Sequence, residues 1–196
     1  MSELPRIKIG FLLYEGVEEM DVVGPWEVFG TLTELRPGAA ELHAIARSMD
    51  PLRGNHGLRL RADVPLSDAP DLDLLVIPGG KGRREAMNDP LTIRFLRERR
   101  PITERFASVC TGAFLLAEAG LLAGRDATTH PRLLDALRAW PGVRVREERV
   151  VDGGDLLTSG GVACGIDLAL HLVGTLCGEG AREAVAREMC YVPPAR

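Results

Sequence analysis

Apolar residues fall in two rhythms along this chain. Short continuous runs at Ile7–Leu13 (IKIGFLL), Leu42–Ala46 and Leu74–Ile77 (LLVI), and from Phe106 up to Cys110, end at glycine, proline or charged residues. That is the pattern of strands covered on both faces. Between them the spacing becomes helical. EGVEEMDVVGPWEVF, with Pro25 near its start, forms the first such segment, followed by Pro90–Arg99 and a helix running from Cys110 through Ala119. PRLLDALRAW, with Pro131 in its first turn, Cys164–Leu176 and Ala181–Met189 complete the set. His56–Val64 alternates as an exposed strand or hairpin would, Asp126–Thr129 reads as a short strand, and Arg146–Val151 and Leu156–Thr158 form a hairpin through DGGD. Strands alternating with helices imply an α/β sandwich on a mainly parallel sheet. No repeat, linker or low-complexity stretch interrupts it, so residues 1–196 read as one domain.

Composition narrows the function. With 196 residues and 45% apolar residues, the chain can build one large core. The net charge of −4, with its signs interspersed, gives no footprint for nucleic acid or an anionic membrane, so small molecules are the expected substrates. The longest apolar stretch, GGVACGIDLALHLVGTLCG, is broken by Asp167 and His171 and reads as a buried helix rather than a membrane span. Four cysteines without metal spacing or disulfide density fit a reducing cytoplasm. The start MSELPRIKIG runs into the first strand with no room for a signal peptide.

The chemistry concentrates at Cys110, where a buried strand turns at once into a helix. Such a corner exposes a side chain at the carboxyl end of a parallel sheet, and the helix N-terminus should lower the thiol pKa toward thiolate. The alternative is a small core residue. Sites in open α/β sheets collect outside the carboxyl ends of the strands, where two further segments converge. One is the first loop, with Glu18, Glu19 and Asp21; the other is the turn Pro78-Gly79-Gly80. The backbone N–H groups of Gly79, Gly80 and Thr111 could hold a developing anion, or the turn could be only a turn. Asp21, between Met20 and Val22, is either a helix cap or a partly buried acid with a raised pKa. His43, His56 and His171 show no metal spacing, His171 reads as a core histidine, and no metal is expected. Cys164, Cys177 and Cys190, with Trp26 and Trp140, read as packing residues.

The segments GVEEMDVVGPWEVF, LLVIPGG, SVCTGAFLLAEAGLLAGRDATTHP and ERVVDGGDLLTSGGVACGIDLALHLV together resemble the ThiJ/PfpI superfamily. They are most similar to its branch of isocyanide hydratases and amidotransferase-like sensor domains of AraC-type regulators. The resemblance implies a three-layer, flavodoxin-like, class I glutamine-amidotransferase-like fold. It makes Cys110 the reactive residue, with Asp21 as the acid that contacts its sulfur. Thr111 follows Cys110 where peptidase- and glyoxalase-like members usually place histidine, which favours the hydratase and regulator branch. His130, in ATTHP, is a candidate base or else a cap or packing residue. Ser159 and Gly160 would bring the backbone close to the pocket at a helix start; Ser159 stands where the hydratase pattern often has glycine.

The resemblance therefore implies a cofactor-independent cysteine enzyme that hydrates an isocyanide to an N-substituted formamide through a covalent Cys110 adduct. A non-catalytic small-molecule sensor domain, like those of AraC-type regulators, is the alternative, and a glyoxalase- or deglycase-like activity a weaker one. The chain ends after YVPPAR, with no room for a helix-turn-helix domain, so DNA binding is not expected. The superfamily is typically dimeric, which implies a homodimer.

Overall fold

The computed structural model describes residues 6–193; expectations placed on residues 1–5 and 194–196 lie outside them. The chain opens with strand β1 (Ile7–Leu13), helix α1 (Glu19–Leu35) and strand β2 (Ala40–Ala46). Three two-residue strands follow: β3 (Leu52–Arg53), β4 (Arg59–Leu60) and β5 (Val64–Pro65). Next come β6 (Leu74–Ile77), α2 (Arg83–Asn88), α3 (Pro90–Arg99), β7 (Arg105–Val109) and α4 (Ala113–Glu118). The last third holds β8 (Asp126–Ala127), α5 (Leu134–Arg138), β9 (Arg144–Val145), β10 (Val150–Asp152), β11 (Leu156–Ser159), α6 (Cys164–Cys177) and α7 (Glu179–Glu188).

Seven strands form the central sheet in the order β10-β11-β7-β6-β1-β2-β5, and every neighbouring pair is parallel except the β10–β11 hairpin. Alternation along the strands builds a core on each face. Leu74 and Val76 of β6 pack with Val28, Phe29 and Leu32 of α1 and with residues of α6 and α7. Leu75 and Ile77 turn to the other face, against Phe95 and Leu96 of α3 and Phe114 and Leu115 of α4. This is the expected three-layer α/β sandwich.

Three local expectations change. Residues 56–64 do not form a hairpin of their own: β4 pairs antiparallel with β3, whereas β5 joins the main sheet beside β2. Pro25 is the seventh residue of α1 rather than near its start, so no N–H is offered to the Asp21 carbonyl one turn earlier. His171 is not a core residue but half exposed, with Nε2 2.6 Å from Asp152 Oδ2.

Helices α1 and α6 approach closely because small residues meet between them. A Cβ on Gly165 would lie 3.2 Å from Pro25 Cγ, and one on Gly24 3.1 Å from Ile166 Cγ1. This contact brings the first turn of α1 and the entry to α6 to the same end of β7. No helix among the described residues is long and apolar enough to cross a membrane.

Candidate active site

Strand β7 ends at Val109, and Cys110 opens a short 3₁₀ turn that leads into α4. Cys110 has φ 55°, a left-handed conformation that an L-residue adopts only when its surroundings hold it there. Both of its backbone groups are held. Its N–H donates to Gly160 O at 2.8 Å, and its carbonyl accepts from Thr129 Oγ1 at 2.8 Å. A strained residue held at the carboxyl end of β7, where the strand turns into a helix, is the backbone geometry of a strand-to-helix elbow.

Asp21, in the first turn of α1, is fully buried. Its Oδ2 accepts from the Gly79 N–H at 2.9 Å, whereas Oδ1 has no hydrogen-bond partner. The Cys110 thiol interacts with this carboxyl group without completing a well-formed hydrogen bond to it. Burial pushes the Asp21 pKa up to about 7; the Glu18 charge adds to the rise, and the Gly79 N–H and the Cys110 thiol oppose it. Of the two readings open for Asp21, the structure supports the buried acid: its side chain caps nothing, and Glu18 stands at the helix N-cap.

The expected depression of the thiol pKa does not occur. Burial, with the Asp21 charge beside it, pushes Cys110 up to about 12, against the opposing pull of the Val162 and Thr111 N–H groups. The sulfur is desolvated and faces an acid, and two amides offset only part of that cost. The resting pair is a thiol beside a carboxyl group that is half ionised near neutrality.

The anion-holding donors also differ from expectation. Gly79 N–H is used by Asp21, and Gly80 N–H donates to Thr111 Oγ1 at 3.0 Å, so neither is free to hold an anion. Both glycines serve close approach instead. A Cβ on Gly79 would sit 2.5 Å from Thr111 N and 2.9 Å from Asp21 Oδ2, and Gly80 has φ 136°. The N–H groups that act on the sulfur belong to Thr111 and to Val162. Val162, which has φ 43° in the loop before α6, was not anticipated from sequence.

The remaining candidates support this frame. Ser159 is buried, with Oγ donating to Ser108 O at 3.3 Å, and Gly160 supplies the carbonyl that holds Cys110 N–H. His130 Nδ1 accepts from Arg132 N at 3.2 Å as a cap of the next turn, and its ring lies over Gly161. Of its two readings, this geometry is that of the cap and packing residue. Beside α1, Glu18, Glu19 and His56 bring three possible ligand atoms within 4.8 Å of one another, which sequence spacing does not reveal. Hydrogen bonds account for them: His56 N–H and Nδ1 meet Glu19 at 2.7 and 3.0 Å, and Asn55 Nδ2 donates to Glu18 at 2.8 Å.

Similarity to known proteins follows the same outline. The pattern of the DJ-1/PfpI family matches residues 7–175. The chain is 35% identical over 187 residues to an isonitrile hydratase of Pseudomonas putida, which covers 95% of this chain and 79% of that protein. It is 28% identical to the HTH-type transcriptional regulator GbdR of Pseudomonas aeruginosa, over 93% of this chain but only 50% of the regulator. A crystal structure of a ThiJ/PfpI family protein from Pseudomonas syringae superimposes with a TM-score of 0.90 at 33% identity, covering 98% of this chain and 78% of that one.

Proposed function

The chain belongs to the DJ-1/PfpI family, and from that premise we propose that it is a cofactor-independent cysteine enzyme that hydrates an isocyanide to an N-substituted formamide. The observation that carries the proposal is Asp21: fully buried, with Oδ1 unpartnered and a pKa near 7, beside a strained elbow cysteine. A carboxyl group so tuned both takes and returns a proton at neutral pH. The similarity to an isonitrile hydratase over nearly the whole chain supports the choice of substrate.

The terminal carbon of R–N≡C is electrophilic and unhindered. Cys110 sulfur bonds to it as the thiol proton passes to the Asp21 carboxylate, which delivers that proton to the same carbon and leaves the thioimidate R–N=CH–S. Water then adds at that carbon; Asp21 takes one of its protons and passes it to the nitrogen, giving R–NH–CH(OH)–S. The C–S bond breaks toward sulfur, the hydroxyl proton returns through Asp21 to the thiolate, and R–NH–CHO leaves. The Thr111 and Val162 N–H groups stabilise the sulfur when it carries charge.

A panel of alkyl and aryl isocyanides with product identification tests the proposal, and methylglyoxal serves as the oxoaldehyde comparison. Formamide formed by the wild type and lost in Cys110→Ala supports it; turnover of methylglyoxal alone would move the assignment to the glyoxalase-like reading. The similarity to half of a transcriptional regulator favours one further reading, a sensor domain. Saturable elevation of Tm by a small molecule, with no turnover of either substrate class, would establish it. A homodimer and a cytoplasmic location go with the enzyme reading; light scattering and cell fractionation test them.

A further inference from the structure

We propose that Tyr14 is a positioning residue whose hydroxyl polarises the Pro78–Gly79 peptide and, through that peptide, sets how readily Asp21 takes a proton. The proposal rests on the reading of Asp21 as the proton carrier. Tyr14 is the first residue after β1, and Pro78 the first after β6, the strand beside it in parallel register. The two strand ends therefore bring the phenol to the glycine turn. Its O–H donates to Pro78 O at 2.8 Å, and the described residues offer that carbonyl no second donor.

The Pro78 carbonyl and the Gly79 N–H are the two ends of one conjugated peptide unit. One end accepts from Tyr14, and the other donates to Asp21 Oδ2 at 2.9 Å. Electron density drawn toward the carbonyl oxygen makes the N–H a stronger donor, and in a buried site each bond of such a chain strengthens the next. A stronger donor at Oδ2 favours the carboxylate over the acid. Tyr14 is suited to this because burial, then the charges of Asp21 and Cys110, raise its own pKa well above the usual phenol value, with Arg83 pulling the other way. It remains a donor across the working range. Among the described residues, the charges of Cys110, Glu18, Tyr14 and Cys164 act with Asp21, and of these only Tyr14 reaches it through this peptide.

The test needs no substrate. Alkylation of Cys110 by iodoacetamide, read by peptide mapping against pH, should rise through the Asp21 titration near pH 7, because the carboxylate accepts the thiol proton. Tyr14→Phe should move that midpoint upward by about half a pH unit, roughly threefold in the proton equilibrium. Replacing tyrosine by 3-fluorotyrosine in a Tyr191→Phe background, which leaves Tyr14 as the only tyrosine, should move it downward, since a more acidic phenol donates more strongly. A purely structural role would not give opposite signs. Asp21→Asn should abolish the inflection in every background. An unmoved midpoint, or shifts of the same sign, would overturn the proposal. If Tyr14→Phe does not fold, the fluorotyrosine protein decides alone. Failure to hydrate isocyanides would overturn the proposed reaction and leave this result standing.

Discussion

Replacing Asp21 by asparagine should stabilise the protein at alkaline pH while it removes activity. A carboxyl group whose pKa rises from 3.8 in the unfolded chain to about 7 in the native state favours folding only while it is protonated. Its contribution is intact below 3.8 and is lost as pH rises through the native value. At about 1.4 kcal/mol per pH unit, the full penalty above pH 7 is of order 4 kcal/mol, and Asp21 is fully buried, so solvent does not screen it away. Cys110 adds nothing to this window, because its thiol is neutral in both states below the ordinary thiol value of 9.0. The asparagine carbonyl can still accept from Gly79 N–H, and its amide can face the sulfur. Urea unfolding of wild type and Asp21→Asn at fixed protein concentration should therefore diverge by about 2–4 kcal/mol at pH 8 and converge near pH 4. Equal or lower stability of the variant at pH 8, with no dependence on pH, would refute the account of Asp21 as a buried, strained acid.

Other outcomes follow from the same geometry. The kcat/KM for isocyanide should rise with pH through about 7 and then level, because the carboxylate is the form that accepts the thiol proton; a fall through 7 in a full pH profile would require the acid form instead. Gly79→Ala, whose Cβ would press on Thr111 and Asp21, should cost about 1–3 kcal/mol and at least tenfold in kcat/KM; Gly30→Ala, which meets nothing within 4 Å inside α1, should gain up to about 1 kcal/mol in the same unfolding assay. Cys190 is exposed, whereas Cys110 is buried with a raised pKa, so a bulky maleimide should label Cys190 first by mass mapping, and the elbow should not be the fastest thiol toward such reagents.

The sheet was legible because its strands obey a simple rule. Leu74–Ile77 and Pro90–Arg99 carry their boundaries in the sequence: a four-residue apolar run cut by Pro78, and a helix with Pro90 at its first position behind Asp89, whose side chain accepts from Leu91 and Thr92 N–H. Helix α2 was missed because RREAMN buries only Ala86 and presents no apolar stripe. The exposed segment at 56–64 shows alternation but not a partner. Nothing in HGLRLRADV tells β4 to pair backward with β3 while β5 goes to the sheet edge, because pairing is decided by tertiary contact.

At the site, order along the chain brought the right segments together but could not assign their hydrogen bonds. A glycine turn beside a cysteine elbow suggests free N–H groups; whether they are free depends on what else is buried there, and Asp21 and Thr111 claim both. Val162 left no signal, since a β-branched residue is among the least expected at positive φ. The same limit explains the thiol. A helix N-terminus acts on any sulfur placed before it, but the sign of the pKa shift depends on whether water or a carboxyl group occupies the other side, and sequence position carries only the first of these. With Asp21 near 7 and Cys110 near 12, the helix end does not hold a ready thiolate. In the proposed reaction its amides would serve the sulfur as the C–S bond forms and breaks, and Asp21, with the peptide that holds it, would set when reaction can begin.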